Sequence, residues 1–116
     1  MSNTYKLSGA ARNDLTRING STFEDNPQAA NRFLRDFTRK CQMLAQFPEM
    51  GVRWNDLRPP LRSFPVSKHL IFYRPVKGGI EVMRVISGYQ DLTAIFPELG
   101  EGENVLEDDD RENLDI

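Results

Sequence analysis

A change of hydrophobic period near the middle of the chain limits the fold more than any other feature. From Ala10 to Gln46, apolar residues recur at steps of three and four. From Leu61 to Ile86 they alternate every second residue. The first spacing predicts helices and the second predicts strands. The stretch 47–60 between them holds Pro48, Gly51 and the Pro59-Pro60 pair, and reads as a loop pinned by Trp54 and Leu57. Helices and strands kept apart along the sequence predict an α+β domain, not a βαβ alternation.

Local signals divide each half. Thr4-Tyr5-Lys6-Leu7-Ser8 alternates and predicts a short first strand. Ser8 is then a helix N-cap, and Ala10, Ala11, Leu15 and Ile18 form a stripe on a helix reaching about Phe23. Asn26-Pro27 restarts a helix, with Asn as cap and Pro at the first helical position. Ala30, Phe33, Leu34, Phe37, Cys41 and Leu44 give that helix one apolar face, ending near Gln46. Arg32, Arg35, Asp36, Arg39 and Lys40 occupy the other face. A Glu24-Asp25 connection makes the pair an antiparallel hairpin. Strands are predicted at Leu61–Val66, His69–Val76 and Ile80–Ile86, with Lys77-Gly78-Gly79 as a hairpin turn. In the last strand, alternation puts Ile80, Val82, Arg84 and Ile86 on one face and Glu81, Met83 and Val85 on the other. Asp91 caps a short final helix, Leu92–Phe96. The expected order is β-α-α-β-β-β-(short α). Two helices pack on one face of a small, mainly antiparallel sheet, and the other face is left uncovered.

Composition excludes several classes. With 116 residues the chain is predicted to hold one folded unit, residues 1–96, and a tail, residues 97–116. One cysteine, Cys41, forms no internal disulfide, and one histidine, His69, leaves no Cys/His metal set. No metal or cofactor is expected. No apolar run spans a bilayer and the N-terminus has no secretory pattern, so a cytoplasmic setting is expected. Charge is divided. The tail carries nine acids and one base, net −8, and the preceding body 14 bases and eight acids, net +6. A basic body suits an acidic partner, and the acidic tail is expected to be flexible or ordered by a partner. Val105-Leu106 inside the acidic run makes it an amphipathic segment that suits the chain's own basic face.

Several stretches, in order, resemble one family. They are Tyr5–Leu15, Asn26–Phe33, Leu44–Gly51, Leu57–Val66, His69–Arg74 and Ile80–Ile86, followed by Gly88 and Asp91-Leu92. Together they resemble the RelE/ParE superfamily of type II toxin–antitoxin toxins, the ParE branch most closely. The resemblance implies the fold derived above. It also implies a toxin that inhibits DNA gyrase and replication and is neutralised by a cognate antitoxin. The alternative it implies is a RelE-like, ribosome-dependent messenger RNA endoribonuclease. A second alternative is a degenerate toxin that retains antitoxin binding only. One departure stands out: Ser87-Gly88-Tyr89-Gln90-Asp91 occupies the place of a commoner His-Gly-Ala-Arg-Asp pattern.

Two residue sets follow. Under the gyrase reading no residue is catalytic, and Arg58, Arg62, Arg74 and Arg84 are the candidate contacts for an acidic, amphipathic antitoxin segment. Under the nuclease reading, cutting RNA with its own 2′-hydroxyl needs a base, an acid and cations on the phosphate, and Arg62, Arg84 and Tyr89 are the candidates. His69, at a strand start, is read as structural, as is Cys41 on the apolar helix face.

Overall fold

The structure is a computed structural model and describes residues 3–57, 59–87, 92 and 94–97. The elements are β1 (Thr4–Leu7), α1 (Gly9–Asp25), α2 (Pro27–Gln46), β2 (Val52–Trp54), β3 (Leu61–Val66), β4 (His69–Val76) and β5 (Gly79–Ile86). One sheet contains all five strands in the order β1-β5-β4-β3-β2. Only the β1–β5 pair is parallel; the others are antiparallel.

The helix caps form where the sequence places them. Ser8 is extended (φ −68°, ψ 166°), and its Oγ accepts from the Ala11 N–H at 3.0 Å. Asn26 caps two helices at once. Its N–H donates to the Thr22 carbonyl, and its Oδ1 accepts from the N–H groups of Gln28 and Ala29 at 3.1 and 3.2 Å. The predicted Glu24-Asp25 connection is therefore too long: α1 runs through Asp25 and only Asn26 separates the helices. The α2 stripe buries Ala30, Phe33, Phe37, Cys41, Leu44 and Ala45. Of these, Phe33, Phe37, Cys41, Leu44 and Ala45 pack with Ala11 of α1 against Val66, Ile71, Tyr73, Ile80, Val82 and Val85 of the sheet.

The sequence did not reveal β2. Three residues are too few for a period, and their pairing with Leu61–Ser63 comes from the loop before them. The Tyr73 hydroxyl donates to the Pro48 carbonyl at 2.7 Å and accepts from the Gly51 N–H at 2.9 Å. A Cβ on Gly51 would lie 2.5 Å from that hydroxyl and 2.8 Å from the Ser63 carbonyl, so only glycine fits. The prolines fall where the ladder tolerates them. At Pro65, β3 has run past β2, and at Pro75, β4 has run past β3. Gly79, at φ +148°, brings the Thr4 backbone into the space a side chain would take, and this lets β1 pair with β5.

Strict alternation fails in β5. Tyr73 pairs with Val82 but Phe72 pairs with Arg84, so Met83 is an extra residue. Beyond this bulge the faces exchange. Val85 joins Ile80 and Val82 in the helix-side core, while Ile86 turns to the opposite face. Arg84 therefore lies opposite Phe72 and does not share a face with Ile80 and Val82. The opposite face is also not bare. Leu57, Leu61, Phe72, Ile86 and Leu92 form a second core, with Trp54, Leu70, Met83, Ile95 and Phe96 packed on it. Leu92, Ile95 and Phe96 roof it, with the Phe96 N–H donating to the Leu92 carbonyl.

Tyr73→Phe removes both hydroxyl bonds and leaves the Gly51 N–H and Pro48 carbonyl without their partner. It should cost about 1–3 kcal/mol in urea unfolding. Intact secondary structure with an unchanged midpoint would show that the Pro48–Gly51 turn needs no anchor.

Candidate functional site

The second face holds an open groove of about 330 Å³. Its walls are apolar: Leu57 and Leu61 from one side, Met83 from the β5 bulge, Ile95 and Phe96 from beyond β5. Arg74 and Arg84 line it as well, and Ser8 and Ala10 bring the start of α1 to it. The bulge is what presents Met83 and Arg84 here.

Arg84 is held by Asp14. Its Nε donates to Oδ2 at 2.8 Å and its Nη2 to Oδ1 at 2.9 Å. The Val85 N–H donates to the same Oδ2 at 2.9 Å. The geometry has a reason. β1 accompanies β5 only as far as Val82, so the rest of this β5 edge lacks a neighbouring strand. Ser8 donates its N–H to the Val82 carbonyl and its Oγ to the Met83 carbonyl, and Asp14 takes the Val85 N–H. Side chains of α1 thus finish the edge that β1 leaves open. Asp14 is 1% exposed and Arg84 27%. Burial alone would push the Asp14 carboxyl up. The Arg84 hydrogen bonds, the Val85 N–H and the charges of Arg84 and Arg17 outweigh that and hold it below its ordinary value. The same pairing raises the Arg84 guanidinium.

The other predicted cations are placed differently. Arg74 grips Glu81 across the strands, with Nε and Nη2 at 3.1 and 2.7 Å from one carboxylate oxygen. The Arg74 end of this pair is half exposed, and the pair contributes little to stability. Arg62 donates from Nη1 to the Glu49 and Gly51 carbonyls at 3.2 and 2.8 Å, pinning the loop after α2. It lines a smaller neighbouring hollow with Glu49 and Arg53. Arg74 and Arg84 therefore meet at the groove and Arg62 stands beside it. Arg58 and Tyr89 lie outside the described residues, as do residues 98–116 of the predicted tail and most of the Ser87–Asp91 segment.

His69 faces the helices, its ring 5.1 Å from that of Phe33. Its buried Nδ1 has no hydrogen-bond partner, and burial lowers its pKa. Cys41 is fully buried, which pushes its thiol up to about 12. Among the described residues no group of His, Cys, Asp or Glu is placed to hold a metal, and no helix is long and apolar enough to cross a membrane.

Sequence reading missed Asp14. The signal was present: Asp14 lies three residues after Ala11 and four before Ile18, on the apolar stripe of α1. A carboxylate there needs a buried partner. Arg84, in phase with apolar neighbours, was the matching anomaly.

What these elements make is a small α+β body with an apolar groove bordered by guanidinium groups. A family model described as "ParE toxin of type II toxin-antitoxin system, parDE" matches residues 5–92. Toxin ParE3 of Caulobacter vibrioides is 30% identical over 82 residues, covering 70% of this chain and 82% of the relative. The chain belongs to the ParE family of toxins of type II toxin–antitoxin systems.

Two expectations follow from the site. Arg84→Ala leaves a buried carboxylate, whereas Asp14→Ala leaves a cation that can turn to water. Arg84→Ala should be the more damaging, at about 3 kcal/mol or more in urea unfolding. In the native protein the Asp14 contribution is complete above about pH 3.9, the unfolded value, and is lost as pH falls through the lower folded value. Without Arg84, burial is opposed only by the Val85 N–H and the Arg17 charge, so the folded value moves upward and this group's stabilising slope should shrink. For His69 the folded value is the lower one, so protonation favours the unfolded chain. Stability should fall as pH drops below about 6.5, and His69→Gln should lack that slope. Parallel slopes for the two proteins would remove His69 as the cause.

Proposed function

We propose that this toxin acts in the cytoplasm by inhibiting DNA gyrase, so blocking replication, and that a cognate antitoxin silences it by laying an acidic, amphipathic segment into the groove. One observation carries the reading: an apolar channel with Arg74 and Arg84 along it fits an apolar stripe flanked by carboxylates. Membership of the ParE family supports the pairing with an antitoxin. The prior bonds of the cations favour binding over chemistry. Arg84 is clasped by Asp14 and Arg62 holds two carbonyls, so two of the three nuclease candidates already have structural work. Inhibition of gyrase by a bound protein needs surface complementarity and no acid–base pair.

The test is induced expression without antitoxin, with DNA and protein synthesis followed by pulse labelling and purified protein added to a gyrase supercoiling assay. DNA synthesis should stop first, and supercoiling should fail in vitro. Protein synthesis stopping first, with messenger RNA cut on ribosomes, would establish the RelE-like alternative. Antitoxin binding with no toxicity would establish the degenerate one. Arg74→Glu reverses the charge beside the groove and should weaken antitoxin binding about tenfold in titration calorimetry. An unchanged affinity would move the antitoxin elsewhere.

A further inference from the structure

The groove has a second candidate occupant, carried by the chain itself. Its C-terminal wall is Ile95 and Phe96, and the acidic run starts at Glu98, two residues later. Residues 98–116 carry net −8 and residues 1–97 net +6, so this run is the largest source of opposite charge available to the body. Inside it, Val105-Leu106 is an apolar pair with Glu103 before it and Glu107 to Asp110 after it. From Phe96 to Val105 is nine residues, a reach of up to about 30 Å when extended, enough to fold back over the adjacent groove. The start of α1 adds a further attraction. Ser8 and Ala10 line the groove, and the first turn of this 17-residue helix has no acid of its own to meet the positive end of its dipole.

We propose that the C-terminal acidic segment docks in this groove in the free toxin, with Val105 and Leu106 against Met83, Leu57 and Leu61 and its carboxylates beside Arg74, Arg84 and the start of α1. A tethered ligand acts at an effective concentration near the millimolar range, so even weak docking occupies the groove. Resting on the antitoxin site proposed above, the consequence is competition: the antitoxin must displace the segment before it binds. The segment is then a built-in brake on antitoxin capture.

The test uses the full chain carrying Glu103→Cys with a nitroxide label, observed by NMR. Cys41 is fully buried and does not compete for the reagent. The expected result is paramagnetic broadening of the Met83 and Ile95 methyl signals that persists on dilution, fades at high salt and spares Ala29 on α2. No broadening at Met83 overturns the proposal. Broadening that disappears on dilution overturns it in favour of a second copy in the groove. Broadening centred on the Arg35 and Arg39 face of α2 overturns it in favour of unspecific charge attraction. The second variant, Val105→Ser with Leu106→Ser in the labelled chain, keeps every charge. It should abolish the broadening and raise antitoxin affinity about tenfold. Persistent broadening in it overturns the apolar contact. Loss of broadening with unchanged affinity upholds the docking and instead overturns the groove as the antitoxin site.

Discussion

The Asp14 carboxylate joins two of the elements that line the groove, α1 and β5. It sits on α1, bonds the backbone of β5 through Val85 and clasps the Arg84 side chain. A buried carboxylate is costly unless each oxygen has a donor, and here both do. The pairing follows from a shortage. β1 is four residues long and leaves the β5 edge without a neighbour after Val82. Ser8 and Asp14 supply from side chains what a longer β1 would supply from backbone. In doing so they lock the start of α1 beside the groove.

The bulge at Met83 is the second constraint. A regular β5 would keep Val82, Arg84 and Ile86 together and bury the guanidinium among aliphatic side chains. The extra residue instead sends Val85 into the helix-side core and Ile86 into the other, so both faces of the strand are used fully. The sheet is therefore a layer between two cores of unequal size. The smaller one is closed by the Trp54–Leu57 loop on one side and by Leu92, Ile95 and Phe96 on the other, and the gap between these covers is the groove.

This arrangement says which property of the cations matters. Arg84 and Arg62 hold the framework, while Arg74, itself half exposed, is tied to Glu81 on the neighbouring strand. The groove presents charge and apolar surface together and is suited to recognising a segment by its pattern. The same pattern occurs in the C-terminal run of the chain, which links the divided charge of the sequence to the groove of the structure.

Local rules determined much of this protein from sequence. The caps at Ser8 and Asn26, most of the α2 stripe and the limits of β3 and β4 depend on neighbours within a few residues and are found as read, while the hairpin turn is one residue shorter, because Gly79 already pairs in β5. The two misplaced charges, Asp14 on an apolar stripe and Arg84 in an apolar phase, were also visible, but not that they answer each other across 70 residues. Tertiary structure alone decided the rest. β2 exists because Tyr73 and Arg62 hold the loop before it against β3. The bulge exists because β5 must serve two cores, and no alternation in a single strand encodes that. The groove is the space left between two covers that are distant in sequence, a relation that no local pattern carries.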